Sequence, residues 1–291
     1  MANRRLTAAK KSVQSFFQAG GRQVVTSRGL AKVLRDHRHE WGIPESVTFR
    51  TFIAFLVQSC GFEVVRLAFP ARATTRYLHG TPSVYQVALS VAPKGYFSHY
   101  TAAGILNLTD QIPRVVYTNT EQPPKRYGNS QLTQGRIDGA FRKSPRLSRS
   151  TADLGEYRIC LLSGMHTGVA GVVTKEDADG APIRVTNIER TLLDMTVRPF
   201  YAGGVFEVLN AYRRARQEVD VGALAGLLRQ LRYTYPYHQA IGFYLESSGA
   251  YSRQEINLFR EFPFDYDFYL THQLADPDYI AKWRLYVPKG F

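Results

Sequence analysis

The stretch Ser46-Val47-Thr48-Phe49-Arg50-Thr51-Phe52-Ile53-Ala54-Phe55-Leu56-Val57-Gln58-Ser59-Cys60-Gly61 decides the fold of the first third of the chain. Phe49, Phe52, Ile53, Leu56 and Val57 recur at i, i+3, i+4, i+7 and i+8, the spacing of one buried helical stripe. Ser46 is a good N-cap for a helix over Val47–Ser59, and Gly61 sits where a glycine commonly ends one. With that stripe turned inward, Ser46, Thr48, Arg50, Thr51 and Gln58 point outward.

Upstream, Lys10–Ala19 reads as a first helix through Val13, Phe16 and Phe17, stopped by Gly20-Gly21. Arg22–Thr26 is short and β-branched, the pattern of a small strand or turn. Ser27 can cap a second helix over Arg28–His39, with Leu30, Val33 and Leu34 inward and Arg28, Lys32, Arg35, Asp36 and Arg38 outward. Downstream the period switches to strand-like over Phe62–Phe69 and Val84–Val91, with a loop from Pro70 to Ser83 holding Arg72 and Arg76. Helix, strand, two helices and a long-looped hairpin is the order of a winged helix-turn-helix, expected over residues 1–91. In that motif the second helix of the pair reads base edges and its neighbour crosses the backbone. Arg50 can then grip a guanine, and Ser46, Thr48 and Thr51 are base or phosphate neighbours. Arg28, Lys32 and Arg35 suit phosphates. Arg72 and Arg76 on the loop can enter a minor groove or hold the backbone.

Charge supports the same reading. The 291 residues carry a net +13. Residues 1–90 hold 13 Lys/Arg against 4 Asp/Glu, and the remainder holds 24 against 20. About a third of the chain thus carries about two thirds of the excess, and a concentrated patch attracts a polyanion by counterion release.

Residues 92–291 read as a larger mixed α/β domain, giving an α+β chain. Ser98–Asn107 suggests a helix and Val115–Asn119 a strand. Gln122–Ser150, rich in Pro, Gly, Ser and Arg, suggests strands with exposed loops. Tyr157–Leu162 and Val169–Thr174 suggest strands. Helices are expected over Asn187–Thr196, Val205–Gln217, Val221–Leu231 (capped by Asp220), Pro236–Ser247 and Ser252–Phe262. Phe268–Leu274 and Lys282–Val287 suggest a closing hairpin.

Several chemistries find no support. No apolar run approaches the ~18 residues of a membrane span, and the opening Met1-Ala2-Asn3-Arg4-Arg5 lacks the apolar core of a secretory signal. A cytoplasmic location and no membrane partner are expected. Two cysteines 100 residues apart, Cys60 and Cys160, make neither a disulfide framework nor a zinc site. Gly203-Gly204 lacks the Lys-Ser/Thr of a phosphate loop. His37 and His39 fall on different helical faces and read as solvent or phosphate neighbours. Asp265, Asp267, Asp276 and Asp278 flank a strand and can hold a nuclease metal, but turn and cap duty suits them better. Ser98-His99, adjacent on a helix, would point about 100° apart. No catalytic set emerges, and neither enzyme activity nor a cofactor or metal is expected.

Two stretches carry a resemblance. One is Tyr96-Phe97-Ser98-His99-Tyr100-Thr101-Ala102-Ala103, with Leu108-Thr109-Asp110-Gln111-Ile112-Pro113 and Val115-Val116-Tyr117-Thr118-Asn119. The other is Thr186-Asn187-Ile188-Glu189-Arg190-Thr191-Leu192-Leu193-Asp194 with Arg198-Pro199-Phe200-Tyr201-Ala202-Gly203-Gly204-Val205. Together they resemble the AbiEi-type antitoxins of bacterial type IV toxin–antitoxin systems. The resemblance implies an N-terminal winged helix that binds inverted repeats in its own promoter, cooperatively or as a dimer, and a C-terminal domain needed to neutralise the toxin. It implies a nucleotidyltransferase toxin as functional partner, with no stable complex required. The nuclease-like tail that some relatives carry is missing, so no endonuclease activity is carried over. Read physically, Arg190 and Asp194 lie one turn apart and can pair, Leu192, Leu193 and Met195 supply burial, and Gly203-Gly204 permits a tight turn. The alternative is a protein-interaction module whose winged helix and second domain dock a toxin or regulator without specific DNA binding.

Overall fold

The computed structural model describes residues 2–21, 23–124 and 131–291. Arg22, expected to open the first strand, and residues 125–130 of the Gln122–Ser150 stretch lie outside the described residues. The fold is α+β. The chain divides into two compact units: Met1–Lys94 with Ser150–Ile159 and Glu176–Ile183, and Gly95–Arg149 with Cys160–Lys175 and Arg184–Phe291.

The first unit begins with α1 (Ala2–Ala19), β1 (Gln23–Val25), α2 (Ser27–His37), α3 (Phe49–Ser59), β2 (Phe62–Ala68), β3 (Ala73–His79) and α4 (Val84–Val91). Thr26 rather than Ser27 caps α2, its hydroxyl accepting from the Gly29 amide at 3.0 Å. Thr48 rather than Ser46 caps α3 by accepting from the Thr51 amide at 3.2 Å. Between the two helices the Trp41 amide still donates to the His37 carbonyl, and Gly42 then turns the chain at φ +62. The Arg38 guanidinium braces this turn, donating to the Pro44 and Val47 carbonyls at 2.7 and 3.0 Å. The core forms where α1, α2 and α3 bring together Val13, Phe17, Leu30, Phe52 and Leu56. The α3 stripe is rotated slightly from its expected position, with Phe55 buried and Val57 38% exposed.

The hairpin differs from expectation. β2 pairs antiparallel with β3, from Phe62 opposite His79 to Ala68 opposite Ala73, and β1 joins the other side of β3. The connection is a short turn over Phe69–Arg72. Val84–Val91, expected as a strand, is a helix. Ser83 and Gln86 form a reciprocal capping box at its start, and its apolar residues also fit a helical period, so cap and period outweigh the β-branched composition.

The second unit contains β4 (Tyr96–Phe97), α5 (His99–Ile105), β5 (Val115–Glu121) and α6 (Gln134–Phe141). The chain then runs through β6 (Thr151–Leu154), β7 (Tyr157–Gly164), β8 (Val172–Glu176) and β9 (Pro182–Thr186). After these come α7 (Ile188–Val197), α8 (Val205–Ala215), α9 (Val221–Leu231), α10 (Tyr237–Ser247) and α11 (Arg253–Asn257). It ends with β10 (Phe268–Tyr269), β11 (Asp278–Ile280) and β12 (Leu285–Val287). Strand order here is β7-β5-β4-β9-β8. β4 runs antiparallel to β5 and parallel to β9. α7 is buried on nearly every side and packs against α5, α8, α9 and α10.

Two expectations are corrected in this unit, and one strand lies outside those expected. The described part of Gln122–Ser150 contains the helix α6 and an extended run, not strands, because Ile137 and Phe141 at i and i+4 bury into the core. Pro182–Thr186 forms a strand to which the sequence reading assigned no element. The end is not a simple hairpin: β10 lies parallel to β12, and β11 pairs with β12 from the other side.

Gly242 on α10 meets the Trp283 indole face to backbone. A Cβ built at Gly242 would lie 2.2 Å from a ring carbon, and Trp283 is fully buried. Such a ring has nowhere to go in a close-packed interior. Gly242→Ala is therefore expected to destabilise the protein by about 1–3 kcal/mol or more, read as a lower urea midpoint. An unchanged midpoint would refute this packing.

Candidate nucleic-acid interface

On α2, Leu30 and Leu34 face the core and Arg28, Lys32 and Arg35 are exposed. Their i, i+4, i+7 spacing places all three on one open stripe. Arg35 touches Asp36 at 3.3 Å, but both are well exposed, which leaves the pair little energy. On α3, Arg50 is exposed on the face opposite Phe52 and Leu56. Ser46 is exposed in the turn before it.

The hydroxyls are less available. Thr48 is spent on its cap, and its oxygen lies 2.9 Å from that of Thr51. Arg76 is corrected outright. It sits on β3, half-buried, donating from Nε to the Ser90 hydroxyl at 3.0 Å, from Nη2 to the Ser90 carbonyl at 2.8 Å, and from Nη1 to the Thr75 carbonyl at 2.9 Å. It ties β3 to the end of α4, with three of its five N–H groups spent inside the fold. Arg72 is exposed at the hairpin turn. Arg66, also exposed, stands opposite Thr75 on β2. It escaped the sequence reading because the wrong partner strand hid where the hairpin turns. His37 is likewise not a free surface group, since its ring stacks on Trp41 and its Nδ1 lies 2.9 Å from Glu40.

A separate polar cluster fills the second unit. Asn187 caps α7. Arg190 and Asp194 pair at 2.8 Å, both buried. The same guanidinium donates to the Ala170 carbonyl at 2.8 Å and to the Thr167 hydroxyl at 3.2 Å. The loop so held folds around the Glu121 carboxylate, which accepts the Thr167 amide and hydroxyl and the Val169 amide. Burial would raise the pKa of Glu121, but these bonds and one from Tyr96 outweigh it and hold the carboxyl below its usual range. Gly171, at φ +70, passes so near Arg190 that a Cβ would lie 2.7 Å from the arginine Cβ.

Ser98 and His99 also depart from expectation. Ser98 is extended and His99 takes φ +53, so the side chains are not splayed as on a helix, and Oγ lies 2.8 Å from Nδ1. Both are buried, Ser98 at 0% exposure, which keeps its hydroxyl from any substrate in this conformation. The acidic residues near the end are tied down. Asp267 accepts from Arg284 and Tyr279, Asp276 pairs with Lys289, and Asp278 accepts the Gly290 amide. Among the described residues no cluster of three or more His, Cys, Asp or Glu is arranged to hold a metal, and no helix is long and apolar enough to cross a membrane.

A crystal structure titled RV2827C protein from Mycobacterium tuberculosis shares this fold. The likeness has a TM-score of 0.62 at 15% identity and covers 96% of this chain and 91% of that one. No protein-family model and no curated protein matches the chain. At this identity the likeness speaks for the fold alone.

Two predictions follow from the buried groups. Arg190→Met strands the Asp194 carboxylate and is expected to cost about 3–5 kcal/mol, while adding Asp194→Leu recovers part of that. A double variant no more stable than the single would disprove the coupling. Burial pushes the imidazoles of His99 and His238 down to about 4. Their stabilising effect is complete above pH 6.5, where the unfolded imidazole is also neutral, and is lost as pH falls from 6.5 towards 4. Tm is expected to drop through that window, and His238→Asn to flatten the slope by about half. A Tm that is level from pH 6.5 to 4.5 would contradict it.

Proposed function

We propose that this protein is a DNA-binding transcriptional autorepressor and the antitoxin of a type IV toxin–antitoxin system, working in the cytoplasm and binding inverted repeats in its own promoter through a winged helix. The observation that carries the reading is the distribution of exposed cations in the first unit. Arg28, Lys32 and Arg35 form one exposed stripe on α2, Arg50 stands on the open face of α3, and Arg66 and Arg72 lie on the hairpin. The element order and the β1-β3-β2 sheet support it. So do the Glu189–Asp194 and Arg198–Gly204 motifs that resemble the AbiEi-type antitoxins.

In this reading α3 enters a major groove with Arg50 on base edges, and the α2 stripe and hairpin cations hold phosphates. Occupied repeats block the promoter sterically, aided by cooperative or dimeric binding. The functional partner is a nucleotidyltransferase toxin, opposed through the second unit without a stable complex. No enzyme activity or cofactor is invoked.

The test is a gel shift on the DNA upstream of the protein's own gene, against a scrambled duplex, at two salt concentrations. A specific shift that weakens steeply with salt is expected. Arg50→Ala should relax sequence preference at a cost of about 1–3 kcal/mol, and Lys32→Ala should weaken all duplexes alike and lower the salt slope by about 1. Arg76→Ala should lower stability instead, through its lost bonds to Ser90. A shift with no preference over the scrambled duplex would sink the reading and favour a protein-docking module.

A further inference from the structure

The chain that leaves α6 carries four cations and no acid. Arg142, Lys143, Arg146 and Arg149 stand between Asp138 and Asp153, the nearest carboxylates in sequence. All four are exposed, and among the described residues no hydrogen bond or ion pair engages their side chains. Other cations of the second unit are neutralised. Arg214, Arg216 and Arg284 each pair with a carboxylate at 2.6 to 2.8 Å.

The backbone under these cations is fixed. Residues 144–150 run without a turn or bend. The Ser148 amide donates to the Tyr201 hydroxyl at 2.7 Å, and the Ser148 hydroxyl donates to the Leu161 carbonyl at 2.6 Å. The Ser144 hydroxyl donates to Gln273 at 3.0 Å, and His272 Nδ1 donates to the Lys143 carbonyl at 3.0 Å. Every one of these residues belongs to the second unit. A strap held this way pays little ordering entropy when it meets a ligand. Lys143, Arg146 and Arg149 recur every third residue, spanning up to about 20 Å at about 3.3 Å per extended residue.

We propose that residues 142–149 are a second DNA contact, in which Lys143, Arg146 and Arg149 hold the phosphates of a duplex without reading its sequence. A duplex carries one charge per about 1.7 Å, so 20 Å of it offers about a dozen. Arginine, lysine and serine are the usual phosphate partners. A protein partner fits less well, since Leu147 is the one exposed apolar side chain in the run, and protein interfaces centre on buried apolar and aromatic anchors. A single strand also fits less well, because its bases need aromatic platforms. Here Phe141 and Tyr201 are buried, and the His272 ring stacks on Phe141. The contact deepens the proposed function, resting on DNA as the ligand but on no particular operator.

The test measures binding of the full chain to the scrambled duplex across a salt series. Combining Lys143→Ala, Arg146→Ala and Arg149→Ala should weaken binding at least tenfold and lower the salt slope by about 3, with Tm unchanged. Combining Lys143→Arg, Arg146→Lys and Arg149→Lys should restore both. Lys175→Ala with Arg253→Ala removes exposed charge elsewhere in the second unit and should leave the slope nearly as it was. The preference for the upstream DNA over the scrambled duplex should be equal in parent and alanine variant. A chain with no such preference would still give the strap result, so failure of the operator reading and failure of the strap are told apart. The proposal is overturned by an alanine variant with the parent's slope, or by a control pair that lowers the slope as much per charge. Single-stranded DNA or polyglutamate that displaces the duplex at equal charge would overturn it too, in favour of a strand or an acidic protein.

Discussion

A guanidinium taken out of water must have its hydrogens met, and around Arg190 that requirement organises much of the second unit. Asp194, one turn along α7, fixes the side chain from its own helix. What remains of the fork reaches a loop more than fifteen residues earlier in sequence and clamps it by the Ala170 carbonyl and the Thr167 hydroxyl. That loop then answers a second, half-buried charge, Glu121 at the end of β5, with two amides and a hydroxyl. Tyr96 on β4 and Asn119 on β5 close the chain, the Asn119 amide donating to the tyrosine hydroxyl at 2.7 Å. Two opposite charges are thus joined through neutral dipoles across helix, loop and sheet. Such a network is worth more intact than its bonds taken singly.

In the first unit arginine serves two ends that composition cannot separate. Arg38 and Arg76 spend their forks on backbone carbonyls, one bracing the turn between α2 and α3 and the other tying β3 to α4. Arg28, Arg35, Arg50, Arg66 and Arg72 remain at the surface. The excess charge of the N-terminal third is therefore partly scaffold. The fraction left to meet a polyanion is spread over α2, the N-terminal half of α3 and one hairpin, with Arg5 and Lys11 exposed on α1 as well.

Much of this was legible in residue order. α3 could be read from the Phe49, Phe52 and Leu56 spacing and α9 from Asp220 and its apolar period, because cap and periodicity agree locally. The α7 pair followed from i, i+4 spacing alone. The hairpin was misread because Val84–Val91 has strand composition while Ala73–His79, with its threonines, arginine and histidine, does not look like a core strand. Which of the two pairs with Phe62–Ala68 is settled by the capping box at Ser83 and by burial of Tyr77 and Leu78. The duty of Arg76 then depended on that pairing, as did the exposure of Arg66. The Ser98–His99 contact was hidden because it needs a left-handed φ at His99, a conformation no spacing rule announces.

The first unit's make-up has a consequence for the order of events at the ribosome. Helices α1 to α4 and the β1-β3-β2 sheet lie before residue 94, yet the unit also includes Ser150–Ile159 and Glu176–Ile183. A chain that emerges at about 5–20 residues per second delivers the last of these segments roughly 5–18 s after Lys94. Helices and a four-residue hairpin turn close in microseconds, so for that interval the nascent unit exists with part of its surface still waiting for later chain. Ser83, whose hydroxyl donates to Asp177 at 2.6 Å, gains that partner only at the end of it. Completion of the N-terminal unit is thereby timed by translation of the middle of the chain.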